Sequence, residues 1–260
     1  MKQLLIAASI LLPAWSAAAA ADDGLFRVRV GAGAQMRPEF IGADKSSLAP
    51  LFNFKVARGT KEFSFGAPDD SPSIAVVSSK GFSFGPAVNV EGRRKESDLG
   101  APVGSVARTF EVGAFAQYLA ADSFRLRAEA RKGINGHEGI VGSLGADKIW
   151  RSGDRYVFSV GPRILFSDAR FQRAYFGVTP AASVASGLPA YRPWGGIYGV
   201  AAASGMSYQL GTGPWGLFGY ARYERLVGDA AKSPIIRELG SRNHFSGGIG
   251  LNYTFSIRAY

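Results

Sequence analysis

The 260-residue chain carries 30 Lys and Arg against 20 Asp and Glu, contains no cysteine, and is rich in glycine and aromatic residues. The missing cysteines exclude structural disulfides and the lipid-bearing cysteine of a processed lipoprotein. The net charge of +10 predicts an anionic neighbour, and the export signal described next favours lipid phosphates or murein over nucleic acid.

The first 21 residues predict a secretory signal peptide. Lys2 supplies a positive start, LLIAASILL is a short apolar run, and the alanines before Asp22 offer small-residue cleavage sites. Residues 22–260 are then expected to form one domain. Since no later segment has about 18 consecutive apolar residues, membrane-spanning helices are excluded.

Alternation of apolar and polar residues recurs along the whole mature chain and predicts β-strands. The clearest case is FRLRAEAR, in which Phe124 and Leu126 face away from Arg125 and Arg127. The weakest is SIAVV, which is short and alternates poorly. Twelve strands are expected, with ten as the alternative: residues 26–35, 51–57, 61–66, 73–77, 81–91, 109–118, 124–131, 139–150, 155–166, 197–210, 215–226 and 245–255.

Such a pattern predicts an all-β fold, an antiparallel transmembrane β-barrel in a Gram-negative outer membrane. An even strand count returns the chain to the periplasm, with short periplasmic turns and longer extracellular loops. Two of those loops predict short helices. TPAASVASG has Thr179 as N-cap and Gly187 as its stop, and SPIIRELG repeats this with Ser233 and Gly240.

The last strand, FSGGIGLNYTF, matches the alternating segment that the barrel insertion machinery reads. Its outward row contains Leu251, Tyr253 and Phe255, and Phe255 is the expected closing aromatic. The chain continues through SIRAY, so Tyr260 is the alternative closing residue.

The inward row of the predicted barrel is charged. One interpretation is an anion-selective pore, and the other, which we favour, is an interior filled by ion pairs between strands. Asp69 and Asp70 are expected to lie in a solvent-facing loop. The candidate lumen charges are Arg27, Arg29, Lys55, Glu62, Glu91, Glu111, Arg125, Arg127, Glu129, Arg163, Arg222 and Glu224.

No motif for catalysis, a metal or a cofactor is present. The two histidines, His137 and His244, fall at predicted loop ends with no nucleophile motif around them, so we expect a protein that is not an enzyme. Basic loop residues are candidate contacts for lipopolysaccharide phosphates: Arg93, Arg94, Lys95, Arg131, Lys132, Arg192 and Arg242.

Four segments resemble the MipA/OmpV family of outer-membrane proteins: RPEFIGAD, FGPAV, AYFGVTPAASVASGLPAY and GDAAKSPIIRELGSRNHFSGGIGLNYTF. The resemblance covers essentially the entire mature chain and implies an outer-membrane barrel. For the founding member it implies a scaffold that holds a lytic transglycosylase near a penicillin-binding murein synthase. Two alternatives stay open: a small-solute channel linked to antibiotic response, and a surface adhesin that binds through its loops.

Overall fold

The computed structural model describes residues 24–258; the predicted signal peptide and Tyr260 lie outside the described residues. Alternating sequences form long strands joined alternately by short turns and long loops. The strands are β1 (Leu25–Pro38), β2 (Ser46–Arg58), β3 (Val77–Ser79), β4 (Phe82–Glu91), β5 (Thr109–Ala120), β6 (Phe124–Ile134), β7 (Ile140–Ser152), β8 (Tyr156–Ser167), β9 (Gly196–Gln209), β10 (Trp215–Leu226) and β11 (Asn243–Arg258).

All of these strands belong to one antiparallel sheet, in the order β2-β1-β11-β10-β9-β8-β7-β6-β5-β4-β3. The predicted all-β, antiparallel fold is therefore confirmed. The first and last long strands pair with each other, and Val28 lies opposite Phe255. Within residues 24–258, β2 and β3 form the two edges of the sheet, so its ladder is not closed.

The sheet is strongly curled. Arg27 on β1 contacts Asp154, in the turn between β7 and β8, with 2.9 Å between Nη2 and Oδ2. β8 lies four strands away from β1, which would be about 19 Å in a flat sheet. Contact at hydrogen-bond distance therefore requires the sheet to bend around an interior.

The two faces of the sheet have opposite chemistry. On β6, Leu126 is 48% exposed whereas the neighbouring Arg125 is 1% exposed. A water-soluble sheet would bury the leucine, so the outer surface is apolar and the interior is polar. Other apolar outward side chains include Val30, Phe54, Val112, Leu144, Trp150, Phe158, Ile164, Val200, Met206, Phe245 and Ile249.

The prediction of a strand at residues 61–66 is wrong, and the expected twelve strands become eleven in the described chain. Phe63 and Phe65 alternate as in a lipid-facing strand, but arginine side chains inside the sheet cover both rings. The segment therefore enters the interior. It returns beside β4, where Val76 N–H donates to the Phe84 carbonyl at 2.9 Å and β3 completes the pairing.

The long loops carry short helices: α1 (Glu96–Leu99), α2 (Ala169–Phe176), α3 (Pro180–Ser186), α4 (Gly228–Lys232) and a π-helical turn (Ile235–Leu239). Helix α3 matches its prediction, because Thr179 Oγ1 accepts from Ala182 N–H and Gly187 ends the helix in a left-handed conformation. Ser233 makes no N-cap hydrogen bond and its hydroxyl instead donates to the Phe176 carbonyl. Between residues 24 and 258, no helix is both long and apolar enough to cross a membrane.

The long loops pack into a cap over one end of the curled sheet. Two clusters of buried side chains from different loops form it. We call this end the cap end and the other the short-turn end. The cap residues are Phe40, Ala43, Leu99, Val103, Val106, Phe171, Tyr175, Phe176, Val178, Ala230, Ile235 and Ile236.

Candidate functional site: a charged interior and an inner segment

Residues 60–72, named here the inner segment, run inside the curled sheet. The Phe63 ring lies under the guanidinium groups of Arg27 and Arg29, with 4.4 Å from Arg29 Cζ to the ring centroid. The Phe63 backbone N–H donates to Asp154 Oδ1 at 3.0 Å, and Lys55 Nζ donates to the Ser64 carbonyl at 3.3 Å. Cation–π contacts and main-chain hydrogen bonds thus hold the inner segment to the walls.

Two consecutive carboxylates fix the turn of the inner segment. Asp70 makes a bidentate contact with Arg125, at 2.5 Å to Nη1 and 3.0 Å to Nη2. Asp69 makes the same kind of contact with Arg163, at 2.9 Å for both oxygen atoms, and lies 3.6 Å from Arg222 Nε. Paired, planar geometry of this kind gives strong charge-assisted hydrogen bonds.

Asp147 on β7 joins the two arginines. Its Oδ2 accepts from Arg125 Nη2 at 2.7 Å, and its Oδ1 accepts from Arg163 Nη2 at 2.7 Å. The neighbouring Gly145 makes this possible, since a Cβ there would lie 2.9 Å from Arg163 Cδ. Three carboxylates therefore surround two buried guanidinium groups, and Arg127 and Arg222 lie 3.6 Å from Asp70 and Asp69, so every charge of the cluster has an opposite neighbour.

The surroundings keep Asp70 charged. Burial opposes ionisation, but attraction and hydrogen bonding from Arg125, with a smaller contribution from Arg127, outweigh it and lower the pKa of Asp70 below its ordinary value. A carboxyl whose pKa falls on folding stabilises the folded protein above the unfolded pKa of about 3.9 and loses that contribution as the pH drops through the folded value. The inner segment is therefore held throughout the neutral range.

A second charged cluster lies nearer the cap. Arg131 contacts both Glu129 and Glu111, and its Nε lies 2.8 Å from Glu111 Oε2. Arg127 donates to Glu129 Oε2 at 2.6 Å. Because acidic and basic groups alternate along β6 and its neighbours, each charge of this cluster meets an opposite one.

His137 is part of this cluster rather than a catalytic base. Its Nδ1 accepts from Gly139 N–H at 3.0 Å, so its Nε2 donates to Glu111 Oε1, also at 3.0 Å. The ring packs against Phe171 and Tyr175 of the cap. Both nitrogen atoms are therefore occupied, and the histidine connects the charged interior to the cap.

Arg94 connects two loops of the cap. It is 1% exposed, and its guanidinium donates to the carbonyls of Tyr175 at 2.6 Å and of Gly104 and Ala174 at 3.2 Å. Burial lowers the pKa of Arg94 to about 10, so it remains a cation at neutral pH. Its predicted role in lipopolysaccharide binding is therefore wrong, and that of Arg131 is wrong for the same reason, since both are used inside the protein.

Replacing Arg94 with Met is expected to loosen the cap. Three carbonyls would lose a charged donor, at a cost of about 3 kcal/mol. Digestion of the folded protein with proteinase K should then cut residues 92–108 and 169–195 faster than in the wild type. The control is Arg93→Met, because Arg93 is adjacent but exposed. Equal digestion of both variants would contradict this role.

The structure places most of the predicted lumen charges on the inner face of the sheet. Glu62 is the exception: its side chain is 52% exposed at the short-turn end and pairs with Arg151 at 2.7 Å. Its inward placement was wrong because the strand carrying it does not exist. The solvent-facing placement of Asp69 and Asp70 was wrong too, because the turn that carries them is inside the sheet.

Several residues of the site were not predicted from the sequence. Asp147 and Arg37 lie on inward rows of β7 and β1, and counting alternate positions from Gly145 and Arg29 would have found them. Arg151 lies on the same row of β7 as Asp147, whereas Asp154 belongs to a turn, where alternation gives no signal. The residues of the predicted insertion signal, Leu251, Tyr253 and Phe255, lie on the outer face, and β11 continues past them to Arg258.

Three cavities adjoin the inner segment. One of about 450 Å³ opens toward the short-turn end and is lined by Glu62–Phe65, Lys80 and Arg125. Two more, of about 390 and 260 Å³, lie toward the cap and share lining residues with each other. The described residues contain no group of three or more His, Asp or Glu side chains that could hold a metal ion.

These features define a class: a curled antiparallel sheet with an apolar exterior and a filled, ion-paired interior, the arrangement typical of membrane β-barrels. A family model described as MltA-interacting protein MipA matches residues 30–255. The chain belongs to this family. The resemblance seen in the sequence is thereby confirmed.

Other comparisons add little. No curated protein matches the chain. Among solved structures, an outer membrane channel from Pseudomonas putida F1 is similar at 9% identity, 88% coverage of this chain, 95% of that chain and a TM-score of 0.44. The translocator domain of the autotransporter NalP from Neisseria meningitidis is similar at 13% identity, 89% coverage of this chain, 88% coverage of that chain and a TM-score of 0.36. The outer membrane protein OprG from Pseudomonas aeruginosa is similar at 11% identity, 90% coverage of this chain, 97% coverage of that chain and a TM-score of 0.25.

Proposed function

We propose that the protein is a β-barrel of a Gram-negative outer membrane that acts by binding and catalyses no reaction. The apolar outer face carries the proposal. Phe52 and Phe54 of β2 are 75% and 70% exposed, and similar side chains cover the other strands. So large an apolar surface is unstable in water and suits a lipid environment, in which interior charges must pair as they do here. Lipopolysaccharide and the insertion machinery are its expected contacts.

Its partner, on this proposal, is a lytic transglycosylase of the MltA type, with a penicillin-binding murein synthase as a second partner. The family description supports the first of these. The short-turn end would face the periplasm and murein. Although its turns are short, the 450 Å³ cavity between the inner segment and the turn at Lys80 gives that end a concave surface with charges of both signs.

The partner proposal is tested with purified proteins. An MltA-type transglycosylase should bind the immobilised barrel in detergent, and Lys80→Glu should weaken binding at least several-fold, since Lys80 is exposed at the short-turn end. Lys45→Glu is the matched control, an exposed lysine in a cap-end loop. Absence of binding, or equal loss in both variants, would contradict the proposed partner or its docking end.

A second candidate function is gated solute passage. It is favoured by one observation: the cavity at the short-turn end and the larger cavity toward the cap are both lined by Arg125, which holds the inner segment between them. Movement of the inner segment would join these spaces. Conductance measurements, described in the Discussion, test this candidate separately from partner binding.

A further inference from the structure

The two cavities toward the cap form one chamber. Both are lined by Arg37, Pro68, Glu91, Arg222 and Glu224. The inner segment contributes the floor through Pro68 and Asp69, and Ile41 and Phe40 of the cap contribute to the opposite side. The larger cavity, of about 390 Å³, lies in the lower part of the range of about 300 to 1,000 Å³ that small-molecule sites occupy, and the smaller, of about 260 Å³, lies just below it.

Two charged groups of the chamber differ from all the others. The other arginines that line the chamber contact carboxylates, but within residues 24–258 Arg37 has no ion pair or hydrogen bond. Glu91 has no cation within 4 Å in the same range, and its Oε1 accepts only from Gly92 N–H at 3.2 Å. Glu91 is half-buried, so its lack of a cation is costly, whereas the exposed Arg37 presents an unpaired guanidinium group to the same chamber.

His244 gives an independent indication. It is 7% exposed, it lines the smaller cavity, and its Nε2 has no hydrogen-bond partner among the described residues. Buried polar atoms are nearly always hydrogen-bonded. A polar ligand in the chamber would satisfy this nitrogen.

We propose that the chamber binds a small zwitterion, an amino acid or a short peptide. The carboxylate of the ligand would pair with Arg37 and its ammonium group with Glu91, while His244 supplies a hydrogen bond. A simple anion would leave Glu91 unpaired, and a simple cation would leave Arg37 unpaired. This inference goes beyond the binding of a murein enzyme and does not depend on it.

The test is calorimetric titration of the full barrel in detergent with L-alanyl-L-alanine, added both to the folded protein and during refolding so that the cap cannot exclude it. Binding should be saturable. The N-acetyl and C-terminal amide derivatives, which each lack one charge, should bind at least about tenfold more weakly. Absence of binding under both conditions, or equal binding of the derivatives, would overturn the proposal.

Two variants assign the charges. Arg37→Gln should weaken the dipeptide but leave the amide derivative unchanged, because the amide has no carboxylate to lose. Glu91→Gln should likewise weaken the dipeptide but leave the N-acetyl derivative unchanged, because that derivative has no ammonium group to lose. Asp44→Asn, an exposed loop change, is the control for folding and should bind as the wild type does. Loss of all three ligands by about the same factor in both variants would indicate a merely structural role and contradict the assignment.

Discussion

Replacement of both Asp69 and Asp70 with Asn is expected to convert a barrel that conducts no ions into one that does. The change removes the bidentate contacts with Arg125 and Arg163 and the weaker contact with Arg222. Without these contacts the arginines repel each other, and the inner segment is held only by its aromatic and main-chain contacts. In planar bilayers the wild type should show no discrete current steps at neutral pH, and the double variant should show them.

The control for this experiment is Asp44→Asn combined with Asp122→Asn, which removes the same charge from two exposed positions. This control should remain closed. Current steps in the wild type, or a double variant that inserts and stays closed, would show that the inner segment is not the barrier. Because partner binding is measured in a separate experiment, a negative result for conductance would not contradict the proposed binding function.

Replacement of Asp147 with Ala is expected to give the largest loss of stability of any single change in the interior. Asp147 is 1% exposed and contacts both Arg125 and Arg163. Its removal leaves only Asp69 and Asp70 to compensate these two guanidinium groups together with those of Arg127 and Arg222. Breaking a buried ion pair in this way costs about 3–5 kcal/mol. Urea unfolding in lipid vesicles should show this decrease.

Two further variants separate the charge from the volume of Asp147. Asp147→Asn keeps the shape and some hydrogen bonding, and its stability should fall between those of the wild type and the Ala variant. Asp44→Ala, in an exposed loop, should change the free energy of unfolding by less than about 0.5 kcal/mol. If the Ala variant unfolds like this control, the arginine–aspartate cluster does not stabilise the barrel.

Alternation along the chain predicted most of the sheet because it records a physical condition that each strand meets locally. A strand between lipid and a polar interior needs apolar residues such as Leu126 on one face and polar residues such as Arg125 on the other. The sequence of such a strand therefore alternates between apolar and polar residues. Helix α3 was predictable because its caps are local.

The inner segment could not be predicted from this signal. Its Phe63 and Phe65 alternate with Glu62 and Ser64 as in a strand, but their rings pack on arginines of distant strands. A phenyl ring suits lipid and a guanidinium face equally well, so the sequence row alone does not distinguish outside from inside. Only the three-dimensional arrangement of Arg27, Arg29 and Arg125 decides it.

The position of the inner segment inside the sheet is tested most directly by an engineered disulfide. A Cβ at position 205 would lie 2.5 Å from Pro68 Cγ, so cysteines replacing Pro68 and Gly205 are within bonding reach, in a chain that has no other cysteine. We predict near-complete disulfide formation in the membrane-inserted protein. Cysteines at Pro68 and the outward-facing Met206 should not bond. Two free thiols in the first variant, or equal disulfide formation in both variants, would show that the inner segment does not lie inside the sheet.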